Sequence, residues 1–387
     1  MVFKTYKMND MKGKQGMVCM GLLLVLSSCH TGKQITASGL QRKDFQTEVN
    51  GQHTDLFTLS NKQGMEVCIT NYGARVVSIL VPDRNGKRED VVCGFSTITE
   101  YMEQRQNFGS TVGRYIGRIL NARFTLDGVE YKLVPNNGKS GHISHGGNPG
   151  FADRIWKVEQ ADTHRVCLSY LSPDGENGFP GNLKVTLVYS LGEDDNALDL
   201  TYEATTDAPT VLNLSHHSFF NISGNFTKSV EDQQLWVDAD RFTPYDDKKC
   251  VIGEYLQVAG TPLDFRMPHT IGECIDADHP QLKVVNGYDH TWELNTKGDD
   301  TRPAAWVYDP ASGRKMEIFT TEPGIQIYTG NGLKGKMTGK GRIAYPFRSA
   351  VCFETMHFQD SPNQPGFPST VLRPGEVFRS HTVYKFE

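Results

Sequence analysis

The chain has 387 residues, with 40 basic against 45 acidic side chains and a formal net charge of −5. Its lysines and arginines are scattered rather than clustered, which argues against a nucleic-acid surface. With 38 glycines, 18 prolines and 10% aromatics, the composition suits many turns joining short aromatic-rich strands around one large core or two.

The chain opens on a basic lead (Lys4, Lys7, Lys12 and Lys14) followed by the apolar run Met17-Val-Cys-Met-Gly-Leu-Leu-Leu-Val-Leu26. Such a run is too short to span a hydrocarbon layer of roughly 30 Å but suits the apolar core of a signal peptide. Leu26-Ser-Ser-Cys29 then resembles a bacterial lipobox, with Cys29 as the lipidated residue. The expectation is a lipoprotein-type signal peptide over residues 1–28 and a polar tether over 29–52. The alternatives are a plain cleaved signal peptide and an unprocessed apolar tail. A lipid anchor would hold the folded domain at the bacterial cell envelope, facing the periplasm, without inserting it. An unprocessed chain would stay in the cytoplasm.

From residue 53 onward the pattern has period two. Met65 to Asn71 and Arg75 to Val81 read as strands, and Thr97 to Gln104 offers about two helical turns. Leu183, Val185, Leu187, Tyr189 and Leu191 alternate with more polar residues, and after the turn-rich Gly192 to Asn196 alternation resumes at Leu198, Leu200, Tyr202 and Ala204. That is an antiparallel hairpin with one wet face. Leu235 to Asp240, Met316 to Thr320, Ile325 to Thr329 and Ala350 to Thr355 continue the series. No Pro/Ser linker divides residues 53–387, so the expectation is a single all-β domain, a large antiparallel β-sandwich. Outside Cys19 and Cys29 six cysteines remain, and Cys68, Cys167 and Cys352 lie in apolar strand-like runs where a free thiol packs as a small hydrophobe. The expectation is mostly free, buried thiols and no cysteine-based zinc site.

Six segments could carry chemistry. In Val211 to Asn221, adjacent His216 and His217 lie in an apolar run; neighbours in a strand face opposite ways, so one is expected in a cavity and the other in packing. Asn213, Ser215, Ser218 and Asn221 are placed to orient a ring nitrogen. The competing reading is a satisfied core histidine. Ala350 to Thr355 puts Glu354 inside a strand, where desolvation makes a carboxylate a better base; the alternative is an ion pair within the sheet. In Ile325 to Gly330, Gln326 and Tyr328 share a face opposite Ile325 and Ile327, either toward a sugar or toward solvent. Asp289 stands beside Tyr288 and His290, as either a hydroxyl acceptor against aromatic rings or a turn aspartate. Arg114 and Arg118 lie in a glycine-punctuated segment lacking the GxxxxGK[ST] of a phosphate loop. His142 and His145 occupy a glycine-rich loop, and their three-residue spacing alone is weak evidence for a metal.

Together these segments resemble the aldose 1-epimerase (galactose mutarotase) family. The resemblance runs in order through Thr70-Asn-Tyr-Gly-Ala-Arg75, Gly113 to Asp127, His145-Gly-Gly, Asp174 to Gly181, Asn213 to Asn221, Gly260 to Arg266, Gly287-Tyr-Asp-His290, Pro323 to Asn331, Glu354-Thr and Asn363 to Glu376. It implies a galactose-mutarotase-like sandwich that interconverts the α- and β-anomers of a free aldohexose such as glucose or galactose. Carried over residue by residue, it makes Glu354 the general base, His217 the general acid and His145 the second active-site histidine. Arg118, Asp289 and Gln326 become substrate-positioning residues. No cofactor and no metal are implied, and the partner is a monosaccharide. A monomer or weak dimer is expected, with the lipid anchor as the membrane contact. The chain departs from the family pattern at Gly117 (often Asn), Ser144 (usually Leu) and His216 (usually Asn), which bears on sugar preference. Two rival readings remain: a sugar-binding module without turnover, and a glycoside hydrolase or lyase using Glu354 with Asp289.

Overall fold

The period-two stretches become sheet. Leu183–Leu191 and Ala197–Thr206 form the expected hairpin, paired antiparallel from Leu183 opposite Thr206 to Leu191 opposite Leu198. The five alternating residues of its first strand are buried and the four between them are not. The computed structural model describes residues 34–387, so the stretch read as a signal peptide and Cys29 lie outside the described residues.

The hairpin belongs to a nine-stranded sheet. In spatial order its strands are Lys157–Ala161, Arg165–Ser172, Leu183–Leu191, Ala197–Thr206, Phe378–Phe386, Lys315–Thr320, Ala305–Tyr308, Gln234–Val237 and His269–Thr270. A six-stranded sheet runs Phe219–Phe220, Val351–Met356, Gly324–Tyr328, Asp289–Glu293, Arg241–Thr243 and Leu256–Gln257, and a four-stranded sheet is made of Leu56–Ser60, Glu66–Thr70, Arg75–Pro82 and Arg88–Asp90. All strand pairs in these sheets are antiparallel. One apolar cluster joins them: Leu187 and Leu200 from the large sheet, Ile325, Ile327 and Phe353 from the six-stranded sheet, and Val67 and Ile79 from the four-stranded one. The architecture is therefore an all-β sandwich. Each of these buried apolar side chains stabilises the fold by about 1.5–3 kcal/mol.

The helical reading holds for Ile98–Gln104. Thr97 caps it by accepting the Glu100 N–H at 3.2 Å, while the Glu100 carboxylate accepts the Thr97 N–H at 2.9 Å. Two expectations need correction. The strand read from Leu235 to Asp240 ends at Val237, and a new strand, Arg241–Thr243, joins the six-stranded sheet instead. Alternation continues through this stretch while the chain changes sheets, which periodicity alone cannot register. The stretch read as polar tether is in part docked: Leu40 and Phe45 are buried, and the Arg42 guanidinium binds the Asp55 carboxylate, its Nε donating at 2.8 Å. Two apolar anchors in an otherwise polar segment were enough.

The six described cysteines are free; Cys68, Cys93, Cys250 and Cys352 are buried, while Cys167 and Cys274 are partly exposed. Burial pushes the Cys68 thiol up to about 12, which keeps it protonated and unreactive.

Candidate active site

Three neighbouring strands of the six-stranded sheet supply the floor of the site. Their apolar residues Ile325, Ile327, Val351 and Phe353 enter the core, so period two turns Gln326, Tyr328, Glu354 and Met356 to the opposite face. Cross-strand register places Gln326 directly opposite Glu354 on one side and Thr291 on the other, with Asp289 opposite Tyr328. Glu354 and Gln326, both 4% exposed, therefore lie side by side.

The wall comes from elsewhere in the chain. Ser215–His217 pairs with Ser110–Val112 and brings the His217 Nε2 to 3.4 Å from the Glu354 Oε1. The two histidines part as a strand requires. His216 packs into the core, its Nε2 at 2.6 Å from the Ser218 hydroxyl and its ring near Tyr189 and Tyr384. The expected orienting role of the polar neighbours falls to Ser218, and it acts on His216. Asn213 instead binds the backbone of His357, and Asn221 that of Ser349. The His217 ring is held by aromatic contact, stacked on Phe219 at 5.1 Å and edge-on to His145 at 5.5 Å; its Nδ1 has no hydrogen-bond partner among the described residues.

His145 sits at φ 53° on the turn that begins His-Gly-Gly. A Cβ on Gly146 would fall 2.0 Å from the Gly113 carbonyl oxygen, so only glycine lets this turn press against the 113–118 segment. The His145 Nδ1 accepts the Gly117 N–H at 3.4 Å, which leaves the proton of the neutral ring on Nε2. Arg118 extends from the same segment, and its Nη1 donates to the Lys249 carbonyl at 3.4 Å.

Glu354, His217, His145, Arg118, Asp289 and Gln326 thus line one cavity of about 250 Å³, below the ~300–1,000 Å³ typical of drug-sized sites and on the scale of a single sugar ring with water. A more open hollow of about 350 Å³ adjoins it across Asn107, Arg118, Ser144 and His145. Arg114 and His142 are not part of the cavity. Arg114 is buried, donating to the Pro180 and Gly181 carbonyls and to Ser172, and so ties down the Asp174-to-Gly181 loop. His142 accepts the Asn121 N–H at 2.9 Å and lies 3.2 Å from the Cys250 sulfur. The polar lining residues that sequence reasoning missed are Gln106, Asn107 and Gln359, all from loops without periodicity.

Charge in the cavity is governed by burial. It pushes Glu354 well above its ordinary range, and the nearby Asp289 carboxylate adds to the effect. It pushes His217 well below 6.5, with His145 as the next contributor, and brings His145 down to about 4, assisted by Arg118. Asp289 is raised by burial against the opposing pull of Arg118 and the Gln326 hydrogen bond; the Gln326 Nε2 donates to its Oδ1 at 2.7 Å. Glu354 and His217 are one hydrogen-bonding step apart and both favour their uncharged forms.

The aldose 1-epimerase family model matches residues 55–385. The chain is 40% identical over 331 residues to galactose mutarotase of Bos taurus, covering 85% of this chain and 93% of that protein. It is 36% identical over 339 residues to aldose 1-epimerase of Escherichia coli K12, covering 87% and 96%. In three dimensions it resembles the GalM/aldose epimerase homologue from C. elegans with a TM-score of 0.79 at 30% identity, covering 86% of this chain and 99% of that one. A match of this extent on this sandwich defines one class: the chain belongs to the aldose 1-epimerase family.

Proposed function

We propose that the protein interconverts the α- and β-anomers of free aldoses, glucose and galactose among them, with Glu354 as base and His217 as acid. The observation that carries this is the 3.4 Å approach of a buried carboxylate and a buried imidazole inside a cavity scaled to one sugar. In the ionised form of the pair, Glu354 takes the proton of the anomeric hydroxyl while His217 gives its proton to the ring oxygen. The bond between the anomeric carbon and the ring oxygen breaks and leaves an open-chain aldehyde. The aldehyde carbon rotates, the former ring oxygen attacks its other face, and both proton transfers run backward. At the open-chain stage the proton rests on Glu354 and His217 is neutral, which is the distribution that burial favours. The His145 Nε2–H faces an oxygen on which charge gathers, and the Arg118 guanidinium donates to a ring hydroxyl. Asp289 and Gln326 accept and donate to ring hydroxyls away from the anomeric carbon. A binding module has no use for the proton pair, and a single-ring cavity fits a free aldose better than a glycosidic chain.

Polarimetry of freshly dissolved α-D-galactose tests this: the approach to the unchanged equilibrium rotation should accelerate in proportion to protein. With one proton shared by the pair, kcat/KM should form a plateau between an acid and an alkaline limb. On the acid side it should fall only when a second proton enters the pair, which the lowered His217 value places well below pH 6.5; on the alkaline side it should fall when Glu354 loses its raised proton. An acid limb at or above pH 6.5 would mark a histidine that titrates independently and contradict the shared proton.

The chain is further proposed to reach the cell envelope as a lipoprotein, on the lipobox ending at Cys29. Cys29→Ser should abolish labelling by radioactive palmitate and move the protein from the membrane to the soluble fraction of its bacterial host. Undiminished labelling would remove the proposal.

A further inference from the structure

Gly117 stands beside Arg118 with φ +77°, and a Cβ placed on it would lie 2.5 Å from the Gln359 Cγ and 3.1 Å from its Cδ. The space that any side chain at 117 would take is thus filled by Gln359, which arrives from a loop more than two hundred residues later. Gln359 is 4% exposed and lines the cavity. Its amide bridges the Arg118 segment, Tyr245 and Gln326, the last two of which also meet directly, the Gln326 Nε2 lying 3.5 Å from the Tyr245 hydroxyl. The Oε1 accepts the Arg118 backbone N–H at 3.3 Å, and the Nε2 donates to the Tyr245 hydroxyl at 2.7 Å and toward the Gln326 Oε1 at 3.4 Å. Gln326 in turn holds Asp289 at 2.7 Å and accepts from Thr291. One amide therefore links the start of the Arg118 arm to the network, shared with Thr291 and Tyr245, that orients the Gln326–Asp289 pair.

Resting on the aldose reading above, we propose that Gln359 is the positioning residue that sets sugar selectivity, by fixing Arg118 and the Gln326–Asp289 pair against the ring hydroxyls of an aldohexose away from its anomeric carbon. The physical argument concerns unpaired polar groups. A site built to hydrogen-bond a given hydroxyl rejects the epimer that lacks it there, because the buried partner is left unsatisfied. That discrimination requires the partners to be held still. Glu354 and His217 are held by the sheet and by ring stacking, independently of Gln359, so the proton transfers themselves do not depend on it. Loss of Gln359 should loosen recognition and leave chemistry intact.

The experiment compares D-galactose and D-glucose, which differ only in the configuration at C4, as substrates of the full-length protein and its variants. Gln359→Met keeps the length and apolar packing of the side chain and removes its hydrogen bonds; Gln359→Ala vacates the space. Both should raise KM while kcat stays within about twofold, and both should shift the galactose-to-glucose ratio of kcat/KM by about three- to tenfold, the worth of one hydrogen bond. Gly117→Asn introduced into the Gln359→Ala variant should bring the ratio part of the way back. Asparagine tolerates a positive φ better than other side chains, and the vacated space admits its amide. A ratio unchanged in both variants, or an equal loss on both sugars with a lowered melting temperature, overturns the proposal and leaves Gln359 a packing residue. Should Gln359→Ala fail to fold, Gln359→Met alone decides. A wild-type protein that fails to mutarotate either sugar refutes the functional reading itself, a separate outcome from an active enzyme indifferent to Gln359.

Discussion

Glu354→Gln is expected to slow mutarotation by about 10²–10⁴-fold, the worth of one positioned proton transfer, while sugar still binds. The substitution preserves shape and replaces an oxygen that can accept the anomeric proton with an amide that cannot. It should not collapse the sheet. Glu354 lies buried beside Gln326, and an amide at 354 needs no ionisation to remain there. The residues proposed to grip the ring, Arg118, Asp289 and Gln326, are untouched, so the dissociation constant for galactose measured by calorimetry should change by less than about tenfold, one hydrogen bond's worth. Near-normal polarimetric rates would remove Glu354 from the mechanism, and equal losses of rate and binding would reduce it to a sugar contact.

His217→Gln is expected to cost a comparable factor, about 10²–10⁴ in kcat, for a different reason. The carboxylate remains, but no group near the ring oxygen can deliver a proton, so that oxygen must leave as an alkoxide. The variant also loses the stack on Phe219 at 5.1 Å and the edge contact with His145, each worth about 0.5–1.5 kcal/mol beyond burial. Its melting temperature should fall more than that of Glu354→Gln. His216→Gln makes the internal comparison. His216 points into the core, and burial brings it down to about 3, so it can supply no proton at neutral pH. Its replacement should lower stability through the lost Ser218 and Tyr189 contacts and leave the shape of the pH profile unaltered. A kcat loss confined to the His216 variant would reverse the assignment of the two rings.

Much of this was legible in the chain because burial and period two act on neighbouring residues. Period two set Glu354 and Gln326 on the face opposite the core residues Phe353 and Ile325 and told that one of His216 and His217 faces away from the core, without telling which. Register was not legible: that Gln326 sits opposite Glu354 depends on how strands far apart in sequence pair. Gln359 was hidden twice over, on the irregular stretch that follows Val351–Met356 and beside a residue, Gly117, whose contribution is the side chain it lacks. Arg114 and Arg118 looked alike in their glycine-rich segment, yet one is locked to the carbonyls of Pro180 and Gly181 and the other opens on the cavity. Their difference is tertiary. The same holds for Leu40 and Phe45, whose burial depends on the surface they meet.

The most direct test of a proton shared by one carboxylate and one imidazole is the rate of the double variant Glu354→Gln/His217→Gln. Groups that act as a unit lose their effect together, so mutarotation by the double variant should be no slower than by the worse of the two single ones. Losses that multiply, so that the double variant falls by the product of the two factors, would show two independent catalysts and contradict the pair.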